Sequence, residues 1–519
     1  MYKKIISILF LSIFFGNYFL FAQFDKNLQR NLNMICADFE YNMNPHTSNY
    51  SSEAQLMNAL YEGLFSYHPE TLQPVDAIAE NYKVSRNKLT WTFTLRSDAK
   101  FSDGSKITSN NILESWTKLL MPSTNAPFAS LLDCIVGAEE FRTGKKDKSI
   151  LGISTPNENT LVLRLKKPTK HLPKILCHHA FSVVSTKENV YSGAFKLESQ
   201  TKTGFELKKN EHYWDEKNVA LPGISIMLSS DKEENVFLLN AGKVDWIDGT
   251  ANIEQIIDKS TITIGTQFGT EYLFFKAQNQ PWTNENARNA LLYALNWNEL
   301  RSGSLVPAGT LLVPLFGYPD VAEIGDTDIE YAKTLLENAK KELNLTNKDI
   351  TLTFAISENE YMRKQAKVLQ EACELLNINF MIQKTPINRY LDSISGWNAD
   401  IFTYTWIGDF PDPMAFLELF RGGSTLNESK WDSTTFDNLI KEAEEITDEA
   451  KRYEKLAEAE EELLNKGVII PISHPVSLNF VDYSVLDGWY NNSLDIHPFK
   501  YMFFKESEQN LIIVKNEFL

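Results

Sequence analysis

An α/β protein of more than one domain is what this 519-residue sequence predicts, and three observations lead there. The stretch 269–477 alternates amphipathic helical patterns with short β-branched and aromatic runs, as helices packed on a sheet do. The stretch before it is richer in hairpins, with strictly alternating runs bounded by turn residues. The chain is also too long for one hydrophobic core, so two or three domains are expected.

Taken in order, residues 1–22 read as a secretory leader. Lys3 and Lys4 precede an apolar run, Ile5 to Phe15, and Ala22 supplies the small residue before cleavage. Gly16 and Asn17 interrupt the run, which separates it from a membrane anchor. The first cysteine is Cys36, so no lipid-attachment cysteine stands near the cut. Residues 31–40 have β character and end at the turn Asn44-Pro45-His46; residues 53–65 carry helical spacing. Thr90-Trp91-Thr92-Phe93-Thr94-Leu95 alternates cleanly, Ser102-Asp103-Gly104-Ser105 turns, and Thr108 caps a helix through Ile112 and Trp116. Strands follow at 160–165, 193–197, 204–208 and 224–228, then a helix at 232–241.

In the second half, helices are expected at 287–295, 328–343, 361–376, 437–444 and 450–464, and strands at 351–355, 379–383, 401–405 and 469–473. The stretch Ala399 to Pro413 stands out. It begins as a buried strand, breaks at Gly408 and ends in Pro411-Asp412-Pro413, which neither a helix nor a central strand continues. Asp412 suits a cap on a helix starting at Met414. Asp409 instead sits just past a strand end, where ligand-contacting groups gather in α/β proteins.

Composition narrows the function. With 51 Lys+Arg against 68 Asp+Glu, nucleic acid and anionic membranes are disfavoured as partners, because phosphate neutralisation needs clustered base. Aromatic residues make up 12% of the chain, enough for large cores or a ring-lined ligand cavity. Cys36, Cys134, Cys177 and Cys373 are too scattered to form a disulfide framework. Cys177-His178-His179 lies in an apolar run read as a strand, where consecutive side chains alternate faces, so convergence on one metal ion is disfavoured. No nucleophile elbow, phosphate loop, dinucleotide fingerprint or zinc-protease helix occurs, which leaves an enzyme with little support. No cofactor and no metal is expected.

The residues also carry a resemblance. Asn44-Pro45-His46, Leu60-Tyr61-Glu62-Gly63-Leu64-Phe65, Ala79-Glu80-Asn81-Tyr82, Trp91 to Arg96, Phe101-Ser102-Asp103-Gly104, Ser192 to Leu197, Asn210 to Asp215, Asn240 to Asp245, Ala287 to Leu291 and Trp406 to Pro413 follow one another in order. This series resembles the extracytoplasmic solute-binding proteins of the peptide/nickel family, oligopeptide-binding branch, over nearly the whole mature chain. The resemblance implies a two-lobed periplasmic-binding-protein clamp with an extra third domain, its mixed sheets flanked by helices. One lobe would combine 23–61, 181–268 and 478–519; an appended domain would cover 62–180; the other lobe would be 269–477. The implied partners are an extended peptide ligand and an inner-membrane ABC permease served by a soluble, monomeric periplasmic receptor.

Carried over by position, Asp409 matches the carboxylate that pairs with the peptide's α-amino group. Thr405 and Ile407 match the strand that grips the peptide backbone, and Trp406 lines a side-chain pocket. Asn49, Tyr50 and Ser51 match the facing segment of the first lobe. Phe128 stands where relatives carry a tyrosine. The basic residues that hold short peptides' carboxylates in relatives fall here on Tyr361, Ile394 and Thr403, none of them basic. Other cargoes on the same fold remain open: a dipeptide, nickel chelate, haem, sugar or signalling peptide. An exported hydrolase or a purely structural envelope protein accounts for fewer of these residues.

Overall fold

The computed structural model describes Arg30–Lys505 except Phe316, Glu358, 387–393, Ser395, Asp409, Pro411 and Thr447. The expected leader at 1–22 lies outside the described residues. Three principal sheets organise the rest. A seven-stranded sheet is built from Leu32–Cys36, Phe195–Thr201, Gly204–Lys209, Gly223–Leu228, Trp246–Asp248, Ile262–Thr266 and Val476–Val481. A five-stranded sheet has the order Asn379–Lys384, Thr351–Ile356, Ile401–Ile407, Gly269–Phe275, Ile469–Ser473. A four-stranded antiparallel sheet comprises Ala79–Val84, Thr90–Leu95, Thr160–Arg164 and Ile153–Asn157. The first two are mixed: Leu32–Cys36 runs parallel to both its neighbours, whereas Gly269–Phe275 runs antiparallel to both of its own.

Alternation along the strands sets the layers. In Leu32–Cys36, Leu32 and Met34 face one apolar cluster with Ile224, Ile226 and Trp246, while Ile35 faces another with Val236, Ile247 and Phe480. The third cluster is continuous from Phe93 and Trp116 beside the four-stranded sheet to Phe274 and Phe402 in the five-stranded one. Helices Ile329–Leu343, Glu360–Leu376 and Glu449–Asn465 bury their apolar stripes, and Asp328, Asn359 and Asp448 accept the free amides of their first turns.

Two expectations are corrected. The helix read at 53–65 is Ser51–Leu60, because Tyr61 turns extended and the following residues are claimed by tertiary contacts. The Glu62 carboxylate accepts from Tyr213 Oη at 2.5 Å, Trp214 Nε1 at 2.7 Å and Lys500 Nζ at 3.0 Å. The run around Cys177 is no strand either: Leu172–Ile175 is a helical turn with Pro173 near its start, and His179–Phe181 is a 3-10 turn.

The chain passes between the seven- and five-stranded sheets at 266–269 and at 473–476. These crossings lie side by side, with Thr266 paired to Val476 and the Gln267 amide donating to Pro475 O at 3.0 Å.

Candidate functional site

Strand Ile401–Ile407 carries four of the candidate residues, Thr403, Thr405, Trp406 and Ile407. On one side it pairs with Gly269–Phe275 along its whole length; on the other it meets Thr351–Ile356 only at Ile401 and Phe402. From Thr405 to Ile407, no strand among the described residues runs along that second edge. Thr405 is exposed, Ile407 partly so, and Trp406 points to the opposite face, where it is buried and donates from Nε1 to Ala415 O at 2.7 Å.

Gly408 ends the strand for a packing reason. A Cβ there would lie 2.7 Å from the Phe268 ring and 2.9 Å from the Phe416 ring, which pack edge-to-face with centroids 4.9 Å apart. Asp409, the carried-over amine-pairing acid, lies outside the described residues. Its surroundings do not. Asp412 is buried and takes two hydrogen bonds from Arg452, at 2.8 and 2.7 Å, and a third from the Met414 amide at 3.0 Å. Burial opposes ionisation of Asp412, yet the Arg452 hydrogen bonds prevail and hold its carboxyl below the ordinary range. Pro413 is the N-cap residue of the short helix Met414–Leu417, and Asp412, one residue earlier, accepts the helix's first amide and ties that end to Arg452.

Phe128 comes to this site from the part of the chain around the four-stranded sheet. Its ring lies 6.2 Å from that of Trp406 and 4.2 Å from that of His178. His178 and His179 rings are 4.1 Å apart, His179 Nε2 meets Ser48 Oγ at 2.9 Å, and His46 Nδ1 meets Ala180 O at 2.8 Å. Burial lowers His46 to about 4, and burial with the neighbouring His178 lowers His179 well below its usual value. Among the described residues no group of three or more His, Cys, Asp or Glu is arranged to hold a metal ion. All four cysteines are free thiols. The contact around Phe128 continues through Thr425, whose Oγ1 donates to Pro127 O at 2.6 Å, and Arg142, which donates to Gly423 O at 2.8 Å. A cavity of about 510 Å3 lies beside it, lined in part by Ser130, His171, Phe410, Asp412 and Arg452.

Asn49, Tyr50 and Ser51 stand at the start of helix Ser51–Leu60, with Asn49 and Ser51 exposed. Glu53 Oε2 accepts the Asn49 and Tyr50 amides at 3.0 and 3.2 Å, so these two backbone donors are already committed within the segment.

Thr403, Tyr361 and Ile394 carry no charge. Thr403 is buried and donates to Gln365 Oε1 at 2.6 Å, and Ile394 is buried outright. Beside them is an acid that the sequence reading passed over. Glu271 pairs across the sheet with Thr405 on one side and Ser473 on the other, and accepts from Ser473 Oγ at 2.9 Å. Burial raises its pKa, with Tyr361 and Ser473 offsetting part of the effect. The available signal was a lone charge inside the otherwise apolar run Tyr272-Leu273-Phe274-Phe275 and its approach.

No helix among the described residues is long and apolar enough to cross a membrane. The solved structure of the Escherichia coli murein tripeptide binding protein MppA is similar, with a TM-score of 0.81 at 23% identity over 92% of this chain and 99% of that one. Haemophilus influenzae OppA, solved in complex with RPPGFSPFR, matches with a TM-score of 0.80 at 22% identity over 92% and 99%. These two likenesses show the fold, the clamp of periplasmic binding proteins. In sequence, the chain is 26% identical to the oligopeptide-binding protein OppA of Bacillus subtilis over 86% of this chain and 88% of that protein. It is 27% identical to the dipeptide-binding protein DppE of the same organism, over 80% and 82%. The description "Bacterial extracellular solute-binding proteins, family 5 Middle" matches residues 73–428. With that match over most of its length, the chain belongs to family 5 of the bacterial extracellular solute-binding proteins, alongside relatives of the oligopeptide branch.

Proposed function

We propose that this protein is a periplasmic oligopeptide receptor that hands its ligand to an inner-membrane ABC permease, acting as a monomer and catalysing no reaction. The observation that carries the reading is the edge of Thr405–Ile407, which has no neighbouring strand among the described residues and lies beside exposed Thr405 and partly exposed Ile407. An extended peptide added to such an edge is held through its main chain, which every peptide shares. Three domains would cooperate: 23–61 with 181–268 and 478–519 as one lobe, 269–477 as the other, and 62–180 appended, bringing Phe128 to Trp406. Lobe closure on the peptide would create the state that the permease recognises.

In this reading Asp409 takes the peptide's α-amino group. Mass spectrometry of ligands released from the natively purified protein should recover a heterogeneous set of peptides. Recovery of a single metal chelate or sugar instead would overturn the reading. Asp409→Asn should weaken free-amine peptides by about 2–5 kcal/mol, as for loss of one partner of a desolvated charge pair. Their N-acetylated counterparts should be affected little, and equal affinity of the variant and the parent for free-amine peptides would remove Asp409 from the site.

A further inference from the structure

Glu271 occupies a place where a carboxylate without a counter-charge is costly. It stands two residues into its strand from the first crossing between the sheets, and its partner Ser473 is the last strand residue before the second. It therefore lies at the hinge end of the groove, on the same face as exposed Thr405. Its neighbours are hydroxyls: Ser473 Oγ donates to it, and the Tyr361 hydroxyl lies beside it. Among the described residues no Lys, Arg or His pairs with it. Two buried polar atoms in the same cluster, Tyr361 Oη and Gln365 Nε2, complete no hydrogen bond of full geometry among the described residues, although the Tyr361 hydroxyl stands between the Glu271 carboxylate and the Gln365 amide. Buried polar groups in native proteins are satisfied almost without exception, so a carboxylate with no counter-charge and two neighbouring polar atoms with incomplete hydrogen bonds together mark a place for a ligand.

The charge sign says which ligand. A group that brings its own positive charge and N–H donors removes the penalty on Glu271 and gives Tyr361 Oη a donor to accept from. The Gln365 amide, a donor, is then matched by a carbonyl of the same ligand. We propose that Glu271, Tyr361 and Gln365 form a subsite for a lysine or arginine side chain of the bound peptide, with Glu271 setting the selectivity. This deepens the peptide-receptor reading and rests on it.

The test is calorimetric titration of alanine pentapeptides carrying one lysine at each position in turn, each paired with its norleucine counterpart. With the parent protein, one position should favour lysine over norleucine by about tenfold or more. In Glu271→Gln that preference should vanish while the norleucine peptides bind as before, which also shows that the variant is folded. A lysine preference unchanged in Glu271→Gln, or no lysine preference at any position in the parent, would each overturn the assignment. If no pentapeptide of either kind bound the parent, the peptide reading itself would fall, and the subsite with it.

Discussion

Replacing Arg452 with methionine should cost this protein more than removal of almost any surface charge. The Asp412 and Arg452 side chains are only 6% and 12% exposed, and two hydrogen bonds of 2.8 and 2.7 Å join them. An exposed pair contributes about 0–1 kcal/mol, whereas removing one partner of a buried pair costs about 3–5 kcal/mol, because the other charge stays buried and alone. Asp412 would retain only the Met414 amide as a donor, so the larger figure applies. For a domain of 150–250 residues each kcal/mol moves Tm by about 2–4 °C, so Arg452→Met should lower Tm by roughly 10 °C. Adding Asp412→Asn to it should recover much of that loss, since the stranded charge is then gone. The pH dependence follows from the depressed Asp412 pKa. Its contribution is present above the unfolded carboxylate range and is lost as pH falls through the folded value, so the parent should approach the variant in strongly acid solution. Differential scanning calorimetry of the parent, both singles and the double variant reads all of this. A single-variant loss under about 2 °C, or a double variant no better than Arg452→Met, would refute the reasoning.

Two further outcomes follow from the same structure. Gly408→Ala sets a methyl 2.7 Å from Phe268 and 2.9 Å from Phe416, and such overpacking costs about 1–3 kcal/mol. It should lower both Tm and peptide affinity, because Phe268 and Phe416 at the end of strand Ile401–Ile407 are displaced; an unchanged peptide affinity would separate that strand end from the site. Asp248 is pushed up to about 7 by burial and by the nearby Asp495 carboxylate. Its contribution to stability is full below the unfolded value and is lost as pH rises toward 7, so Asp248→Asn should flatten the stability profile between about pH 4 and 7. Thermal melts across that range give the answer, and an equally steep profile in the variant would rule Asp248 out.

Much of the architecture was legible because local pattern and tertiary context agree. Thr90–Leu95 and Ile469–Ser473 lie where alternation and apolar runs place them, and Asp328 caps the helix whose periodicity begins beside it. Agreement fails where side chains from distant parts of the chain take over. Residues 61–65 keep a helical pattern, yet Glu62 is committed to Lys500, Tyr213 and Trp214, and that pull cannot be seen in the pattern. The run before Phe181 is apolar and short, which fits a strand or a buried turn equally well; Pro173 was the residue that distinguished them. The site is harder still. Trp406, Thr405 and Phe128 emerged through resemblance. Glu271 acquires its meaning from Ser473, 202 residues further along the chain, a pairing that no local signal announces.

The paired crossings at 266–269 and 473–476 have a mechanical consequence. Because Thr266 pairs with Val476 and Gln267 bonds to Pro475, the two connections form one narrow ribbon, not two independent tethers. A ribbon of two bonded strands bends across its width far more easily than it shears along its length. If the lobes close as proposed, motion of one sheet against the other would thereby be channelled into a single swing, in which a small displacement beside Glu271 becomes a large one at the far rims. In the proposed receptor, occupancy of an interior groove would in this way be displayed on the outside of the molecule, as an angle.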